Sequence, residues 1–350
     1  MKIPQPKCWM LLRPIFQASS SCLKDVDELL YPLKFDPIYK QIIWGGTNIS
    51  KYFHREIISD RVAESWELCC RDDGTSIVSS GVLKGMSLQD VIFKYKDKLL
   101  GEKTYLSFGT RFPLLIKIID ANENLSVQVH PGDDYAKITG DKCGKNELWY
   151  ILDAKANSKL VYGVKKDETK AGFIKAVSEN KTEQVLNVVD ASAGDVFYVP
   201  AGKVHAILSG ILIAEIQQNS NTTYRIYDWG RVDKDGRGRA LNTVQALDVI
   251  DFDSQNLPTI FSQPEKNQDY SLDVVLRSEY FNVDKISVHH QYKSTTIGCF
   301  IIFMCIKGGG AIIYDGGTCS IILGETLLFP ACIGKFVING SMTLLSIYMP

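Results

Sequence analysis

The sequence has no excess of charge and no apolar segment long enough to cross a bilayer. Its 350 residues include 39 Lys and Arg and 40 Asp and Glu, which gives a formal net charge of −1 at pH 7. Without a basic excess, there is no electrostatic basis for binding nucleic acid or an anionic membrane surface. The longest apolar runs, such as CFIIFMCI near residue 300, are typical of buried strands. We therefore expect neither a nucleic-acid partner nor a membrane location.

Cysteine is present without the spacing that a structural role would require. The chain has nine Cys, including the adjacent pair Cys69 and Cys70, but no C-x-x-C pair and no regular framework. A closed structural zinc site usually uses cysteine, and a disulfide scaffold needs a regular, even set. An odd number of Cys without a framework indicates reduced thiols, so a cytoplasmic protein is expected.

Residues 1–28 are the least regular part of the chain. Two Lys precede a short apolar patch and a Ser-rich stretch, as in a signal peptide, but Arg13 and Pro14 interrupt the apolar run WMLL. A signal peptide needs a longer uninterrupted apolar region. We interpret the segment as a poorly ordered extension outside the fold.

From Tyr31 onward, short β-type runs alternate with turn residues. YPLKFDPIYKQIIWGG and VAESWELCC are early strand candidates, and strands dominate from residue 192 to the end. Apolar residues at helical spacing predict helices over residues 87–98 and 168–179. The predicted class is mainly β with inserted helices.

An internal similarity predicts a duplicated barrel. GDVFYVPAGKVHAI (194–207) and GETLLFPACIGKFVI (324–338) share Gly, an acid, an apolar strand and Pro-Ala, with an offset of 130 residues at the first Gly. The shared Gly and Pro predict the same tight connection in two jelly-roll units. The predicted units are 29–250, with helical insertions, and 251–350, joined by a polar linker near 250–270. At this offset Lys335 takes the place of His205, so the second barrel is expected to be structural.

Four residues of metal-ligand type interrupt apolar, strand-like sequence. Gln128 and His130 lie in LSVQVHP, Glu147 begins ELWYIL, and His205 follows the turn PAGK. Alternation along a strand places Gln128 and His130 on one face. A single buried His or Glu is more often a hydrogen-bonded core residue, but four in one stretch favour a metal site. This mixed nitrogen and oxygen set suits zinc or another divalent metal.

Several longer motifs resemble one known family. They are YPLKFDPIYKQIIWGG, FPLLIKIIDANENLSVQVHPGDDYA, KNELWYI, VPAGKVHAI and EIQQNSNTTYRIYDWGR, in this order over about residues 29–350. Together they resemble type I mannose-6-phosphate isomerase (phosphomannose isomerase), in its short bacterial form. The resemblance implies a double cupin, that is, two jelly-roll β-barrels, with one zinc ion in one barrel.

The resemblance also implies roles for individual positions. The implied zinc ligands are His130, Glu147, His205 and Gln128. The implied catalytic residues are Arg225, Lys145 and Glu215, and Lys117 and Ser126 match substrate-binding positions of the cleft. Two departures stand out: the N-terminal extension has no counterpart, and Arg231 stands where longer relatives have a lysine.

Two of these residues also have simpler interpretations. Lys117 is a lone charge within PLLIKII, and it would bind an anion or a partner if buried, or extend to solvent from a strand edge. Arg225 precedes Asp228 by three residues and could form a structural Arg-Asp pair instead of contacting substrate.

The activity implied by the resemblance is the interconversion of mannose 6-phosphate and fructose 6-phosphate through an enediolate. Glu215, Lys145 or a zinc-bound water would move the proton, and Lys117, Lys145 or Arg225 would bind the phosphate. The sugar phosphate is the expected partner of a monomer or homodimer. The alternatives are another metal-dependent cupin enzyme, such as a dioxygenase or an epimerase, or a non-catalytic sugar-binding cupin.

Overall fold

The computed structural model describes residues 30–57, 59, 61–232, 235–253, 265–296 and 298–350. The predicted extension 1–28 and part of the predicted linker near 250–270 lie outside these ranges. The helices are α1 (Asn48–Phe53), α2 (Leu88–Leu100), α3 (Glu102–Phe108), α4 (Asp133–Thr139), α5 (Lys170–Ser178) and α6 (Thr243–Val249), with 3-10 turns at Thr182–Val185 and Ala331–Ile333.

The strands before the predicted linker are β1 (Leu33–Asp36), β2 (Ile38–Lys40), β3 (Glu64–Leu68), β4 (Cys70–Arg71), β5 (Gly74–Thr75), β6 (Ile77–Val78), β7 (Leu114–Ala121), β8 (Val127–Val129), β9 (Glu147–Ala154), β10 (Lys159–Val164), β11 (Leu186–Asp190), β12 (Val196–Val199), β13 (His205–Ile207), β14 (Ile211–Gln218) and β15 (Tyr224–Tyr227). After it come β16 (Glu265–Lys266), β17 (Tyr270–Leu276), β18 (Asn282–Val288), β19 (Gln291–Thr295), β20 (Ile301–Tyr314), β21 (Gly317–Ile322), β22 (Thr326–Phe329) and β23 (Lys335–Tyr348).

Two antiparallel sheets form the first unit. The six-stranded sheet has the order β12-β9-β14-β7-β3-β2, and the five-stranded sheet has the order β11-β10-β13-β8-β15. Apolar side chains of both sheets, including Trp149, Ile207 and Ile213, form the core between them. The outer face of the five-stranded sheet is covered by α5 and α6, through Phe173 and Ala246.

The second unit is built on a ten-stranded sheet. Its order is β16-β17-β18-β23-β20-β22-β1-β6, with β19 added on β23 and β21 on β20. Side chains of this unit pack on the outer face of the six-stranded sheet, so β7 is buried along its whole length. Burial on both faces explains why β7 reads as a continuous apolar run and not as an alternating one.

The predicted repeat corresponds to matching elements in the structure. Strand β12 and strand β22 begin at Val196 and Thr326, and β13 and β23 begin at His205 and Lys335, so both pairs keep the offset of 130 residues. Gly194 and Gly324 both have positive φ, of 94° and 85°, which glycine adopts without steric cost. The mainly β class with two jelly-roll units is confirmed, whereas the domain boundary near residue 250 stays a prediction.

Two further expectations concern the helices and the thiols. The helical spacing of apolar residues predicted α2 and α5 within two residues at each end. Ser87 and Thr169 cap these helices by accepting from the backbone N–H groups of Asp90 and Gly172. None of the helices in the described ranges is long and apolar enough to span a membrane. The seven cysteines within those ranges are free thiols.

Candidate metal centre

Two rows of paired residues face each other across the core of the first unit. In the five-stranded sheet His205 pairs with Gln128, and Gln128 pairs with Arg225. In the six-stranded sheet Lys117 pairs with Glu215, and Glu215 pairs with Trp149. Residues directly opposite one another on neighbouring strands project from the same face. The sheet register therefore brings polar residues from six separate strands to one place: β7, β8, β9, β13, β14 and β15.

Three residues of this region form a group that could hold a metal ion. His130, Glu147 and His205 are each about 1% exposed, and one ligand atom from each lies within 4.8 Å of the others. The Nε2 atoms of the two histidines are 3.1 Å apart, and His130 Nε2 is 3.1 Å from Glu147 Oε1. The expected clustering of these ligand-type residues is thus present.

Backbone carbonyl groups fix the orientation of both imidazole rings. His130 Nδ1 is 2.9 Å from the carbonyl oxygen of Thr222, and His205 Nδ1 is 2.8 Å from that of Lys203. Because a carbonyl only accepts, each Nδ1 carries a hydrogen and each Nε2 of a neutral ring offers a lone pair to the cluster. Burial lowers the pKa of His130 to about 3 and also lowers that of His205. Neutral imidazoles are the form that binds metals.

The acceptors of the cluster exceed its donors. Glu147 Oε1 is buried without a hydrogen-bond partner in the described chain, although Lys145 Nζ lies 2.9 Å from it. Burial would raise the pKa of the Glu147 carboxyl, but Lys145 and His130 hold it well below its ordinary value. An ionised carboxylate and two lone pairs directed at one another need a cation. Lys145 supplies one positive charge. The two Nε2 atoms and the Glu147 carboxylate are also a suitable set of ligand atoms for a divalent metal.

Gln128 lies at the edge of this group. Its Nε2 is 3.3 Å from His205 Nε2, and its Oε1 is 3.5 Å from Ser126 Oγ. The two ends of an amide are distinguished only by their hydrogen bonds, and rotation of the amide by 180° exchanges them. In the rotated form the oxygen faces the cluster, which is what the expected fourth ligand requires.

A second ionic group adjoins the first on the six-stranded sheet. The buried Lys117 ammonium lies 3.2 Å from Glu215 Oε2 and 3.4 Å from Glu64 Oε2. Burial would lower the pKa of Lys117, but the charges of Glu64 and Glu215 raise it. The alternative of a lysine that extends to solvent is wrong, because β7 is a central strand covered on both faces. Both of its partners are carboxylates, so this ammonium is paired within the protein.

Glu215 is a buried carboxyl with a perturbed acidity. Its Oε1 accepts from Trp149 Nε1 at 3.0 Å, and its Oε2 has no aligned donor in the described chain. Burial first, and then the negative charge of Glu147, raises the pKa of Glu215 to about 7, against the opposing charges of Lys117 and Lys145. A carboxyl with a pKa near neutrality is suited to accept and return a proton.

Glu64 is a member of this group that the sequence reasoning missed. Its Oε2 accepts from Trp66 Nε1 at 2.7 Å, in addition to its contact with Lys117. Burial would raise the pKa of the Glu64 carboxyl, but Lys117 lowers it. The available signal was the alternation in VAESWEL, which places Glu64 and Trp66 on one face of a strand.

Arg225 lies next to Gln128 and Ser126, at the edge of the group formed by His130, Glu147 and His205. Its Nε donates to Ser126 Oγ at 3.2 Å, and its Nη1 donates to the carbonyl of Ala240 at 2.9 Å. The alternative of a structural pair between Arg225 and Asp228 is wrong. Asp228 instead accepts from Arg231 and Arg239. All nine residues singled out from the sequence therefore belong to one continuous network of contacts.

Profiles of two protein families match the chain. "Phosphomannose isomerase type I, catalytic domain" matches residues 32–175, and "Mannose-6-phosphate isomerase, cupin domain" matches residues 271–349. The second match falls on the ten-stranded sheet of the second unit.

Among curated proteins, the chain is similar to mannose-6-phosphate isomerase ManA of Bacillus subtilis, with 35% identity over 311 residues, which cover 88% of this chain and 96% of that protein. It is also similar to the mannose-6-phosphate isomerase of Streptococcus mutans, with 32% identity, 87% of this chain and 94% of that protein.

Solved structures agree with these matches. The crystal structure of a mannose 6-phosphate isomerase from Bacillus subtilis superposes with a TM-score of 0.84 at 31% identity, covering 91% of this chain and 99% of that chain. A putative mannosephosphate isomerase from Archaeoglobus fulgidus, at 19% identity and a TM-score of 0.71, shares the fold over 91% of this chain and 97% of that chain. The chain therefore belongs to the type I phosphomannose isomerase family.

Proposed function

We propose that the chain interconverts mannose 6-phosphate and fructose 6-phosphate with one zinc ion held by His130, Glu147, His205 and Gln128. The observation that carries the proposal is the buried set of acceptors: two Nε2 atoms 3.1 Å apart beside the carboxylate of Glu147, whose Oε1 is 3.1 Å from His130 Nε2. Nitrogen and oxygen ligands without cysteine suit a catalytic zinc site that keeps a position open. When bound, zinc would polarise the carbonyl and hydroxyl oxygens of the sugar.

Glu215 is the residue that we assign to proton transfer between C1 and C2. A pKa of about 7 lets the carboxyl take a proton from one carbon and return it to the other at neutral pH. Lys145, the competing candidate, lies 2.9 Å from Glu147 and 3.2 Å from His130 Nε2. These contacts suit Lys145 to a different role, in which its charge stabilises the oxyanion of the enediolate.

The phosphate is best accommodated on the arginine side of the site, which is formed by Arg225, Arg231 and Arg239. Lys117 and Lys145 are each 4% exposed, and both contact carboxylates. Asp228 is paired with Arg231 and Arg239. Burial first, and then the charge of Arg239, lowers the pKa of Arg225, against the opposing charge of Asp228. Three guanidinium groups against one carboxylate in this region leave an excess of positive charge that favours a dianion.

One metal per chain follows from the difference between the two units. Lys335, at the position that corresponds to His205, is exposed, and His130, Glu147 and His205 are the one such ligand group found among the described residues. A cytoplasmic location and a monomeric or homodimeric state stay predictions, the former based on the free thiols.

The direct test is a coupled assay of the purified protein with mannose 6-phosphate. We expect isomerisation to be lost after treatment with a chelator and restored by zinc. Unphosphorylated mannose serves as the control, since it offers nothing to the arginine side. Full activity after complete removal of metal, or equal turnover of mannose and mannose 6-phosphate, would contradict the proposal.

A further inference from the structure

A large cavity of the described chain is separate from the metal centre. It has a volume of about 730 Å³ and is bordered by residues from four regions: Cys70 to Pro113, Asp133 to Cys143, Gln218 to Asn219, and Glu279 to Pro350. A smaller cavity of about 370 Å³ adjoins it and shares Arg71, Lys142 and Asn219 in its lining. None of the nine residues of the proposed active site lines either cavity in the described part of the chain. The substrate assigned above therefore does not account for this space.

Positive charge predominates in the lining. Five basic side chains contribute to it, against three acidic ones: Arg71, Lys103, Arg111, Lys137 and Lys142, against Asp72, Asp133 and Glu279. Asp133 Oδ1 accepts from the N–H of Gly144 at 2.6 Å and from Gln218 at 3.2 Å, which fixes the orientation of its carboxylate and leaves its charge in place. Two of the cations are paired as well, Lys142 with Asp72 at 3.3 Å and Lys137 with Asp134 at 3.1 Å. The attraction of the lining for an anion therefore depends on its other basic side chains.

One of the cations has free donors. Among the described residues, the Arg111 guanidinium has no ion pair or side-chain hydrogen bond, whereas Arg71 contacts Asp73 and Lys103 donates to the Pro350 carbonyl. A guanidinium presents two parallel N–H groups that match the spacing of oxygens in a phosphate. Arg111 is thus available for a bidentate contact that the protein itself does not supply.

The cavity also offers aromatic surface. Phe108 and Tyr280, both half-buried, contribute to its lining from distant parts of the sequence. Aromatic faces pack against planar rings, and a volume of several hundred Å³ is the usual size of a site for a cofactor-sized molecule. From the cations, the rings and the volume together, we propose that this cavity is a binding site for a nucleoside phosphate.

The site is connected to the metal centre through two amides. Gln218 lines the cavity, and its Oε1 accepts from both the backbone N–H and the Nδ2 of Asn146, at 3.0 and 2.7 Å. Asn146 separates Lys145 from Glu147 in the sequence. An occupant in contact with Gln218 would therefore be linked through Gln218 and Asn146 to Glu147, the proposed zinc ligand at the start of β9.

The test is a calorimetric titration of the zinc-loaded protein with adenosine diphosphate, repeated with an excess of mannose 6-phosphate. We expect a Kd of about 1 mM or below, unchanged by the sugar phosphate. Arg111→Glu, and independently Lys103→Glu, should weaken binding about tenfold or more. Lys84→Glu makes the same kind of charge change at an exposed position outside the cavity, and Arg225→Ala alters the metal centre. Both should leave the affinity within about twofold.

Adenosine and pyrophosphate separate the two parts of the ligand, and each should bind more weakly than adenosine diphosphate. Absence of binding up to about 10 mM, or equal affinity for pyrophosphate alone, would overturn the assignment. Displacement by mannose 6-phosphate, or loss of binding in Arg225→Ala, would assign the nucleotide to the metal centre instead and would also overturn it. None of these outcomes depends on whether the isomerase assay succeeds.

Discussion

The indole N–H of Trp149 is shared by the carboxylates of Glu147 and Glu215. Trp149 Nε1 lies 3.1 Å from Glu147 Oε2 and 3.0 Å from Glu215 Oε1. In both carboxylates it is the other oxygen that has no aligned donor in the described chain. One buried donor therefore orients the proposed zinc ligand and the proposed proton carrier together, and leaves one oxygen of each available for ligand or substrate.

Replacement of Trp149 should weaken zinc binding and disturb the orientation of Glu215 while the fold is kept. In Trp149→Phe both carboxylates lose their fixed orientation, so we expect zinc affinity to fall about 10- to 100-fold, as for loss of other partners of metal ligands. The measurement is competition for zinc with a chromophoric chelator. Ile151→Val is the control, because Ile151 is buried in the same core on the same strand and its apolar side chain has no hydrogen-bond donor to offer a carboxylate. Equal zinc affinity in Trp149→Phe and the wild type would exclude an orienting role.

The ligand-type residues were visible in the sequence because each is polar within an otherwise apolar strand. Alternation along a strand also predicted that Gln128 and His130 lie close together, and the structure has the same arrangement. The contact between Glu64 and Lys117 was not predictable in this way, since it depends on the register of β3 against β7. That register pairs residues that are far apart in the sequence, such as Trp66 and Lys117, and no local pattern encodes it.

The position of β1 illustrates the same limit. Leu33 pairs with Leu328, so a strand near the start of the described chain extends the sheet of the second unit. The apolar pattern of YPLKFD predicts a strand there but does not identify its neighbour. Similarly, the sequence left open an alternative pair between Arg225 and Asp228, and this alternative was wrong because Arg231 and Arg239 occupy the same carboxylate.

The acidity of Glu215 predicts a specific dependence of stability on pH. Its pKa is raised from 4.5 in the unfolded chain to about 7 by burial, so between these values the folded protein binds more protons than the unfolded one. Its contribution is complete below about pH 4.5 and is lost as the pH rises through about 7. In metal-free protein, the free energy of unfolding of the wild type relative to Glu215→Gln should fall by a few kcal/mol across this window.

Urea unfolding of both chelator-treated proteins at several pH values measures this difference. Other titrating groups, including the two histidines, contribute to both proteins and cancel to first order. Glu123→Gln, at an exposed position, controls for the loss of one carboxyl. A difference that stays constant from about pH 4.5 to about pH 8 would contradict a raised pKa at Glu215.

Removal of the metal ligands should abolish activity without unfolding the protein. The apolar cores of both units consist of side chains that do not depend on a metal, so Glu147→Gln and His205→Ala should lose zinc and activity but keep their circular dichroism spectra. Elemental analysis should give one zinc per wild-type chain. His290→Ala, at an exposed histidine of the second unit, should retain it. Two metals per chain, or unfolding of the metal-free protein at room temperature, would contradict this prediction.

The role of Arg225 can be resolved by steady-state kinetics. If its charge stabilises the enediolate, Arg225→Ala should lower kcat about a hundredfold or more with unchanged zinc content, because the lost interaction is strongest in the transition state. If it mainly holds the phosphate, KM should rise while kcat stays nearly constant. Arg225→Lys keeps the charge but cannot reproduce the donation of Nε to Ser126 together with Nη1 to Ala240. Arg277→Ala removes an arginine from an ion pair with Asp284 in the second unit and is the matched control. Near-wild-type kcat and KM in Arg225→Ala would leave Arg225 a structural link between β15 and the segment at Ala240. Stabilisation of the enediolate and phosphate binding would then both have to depend on other residues.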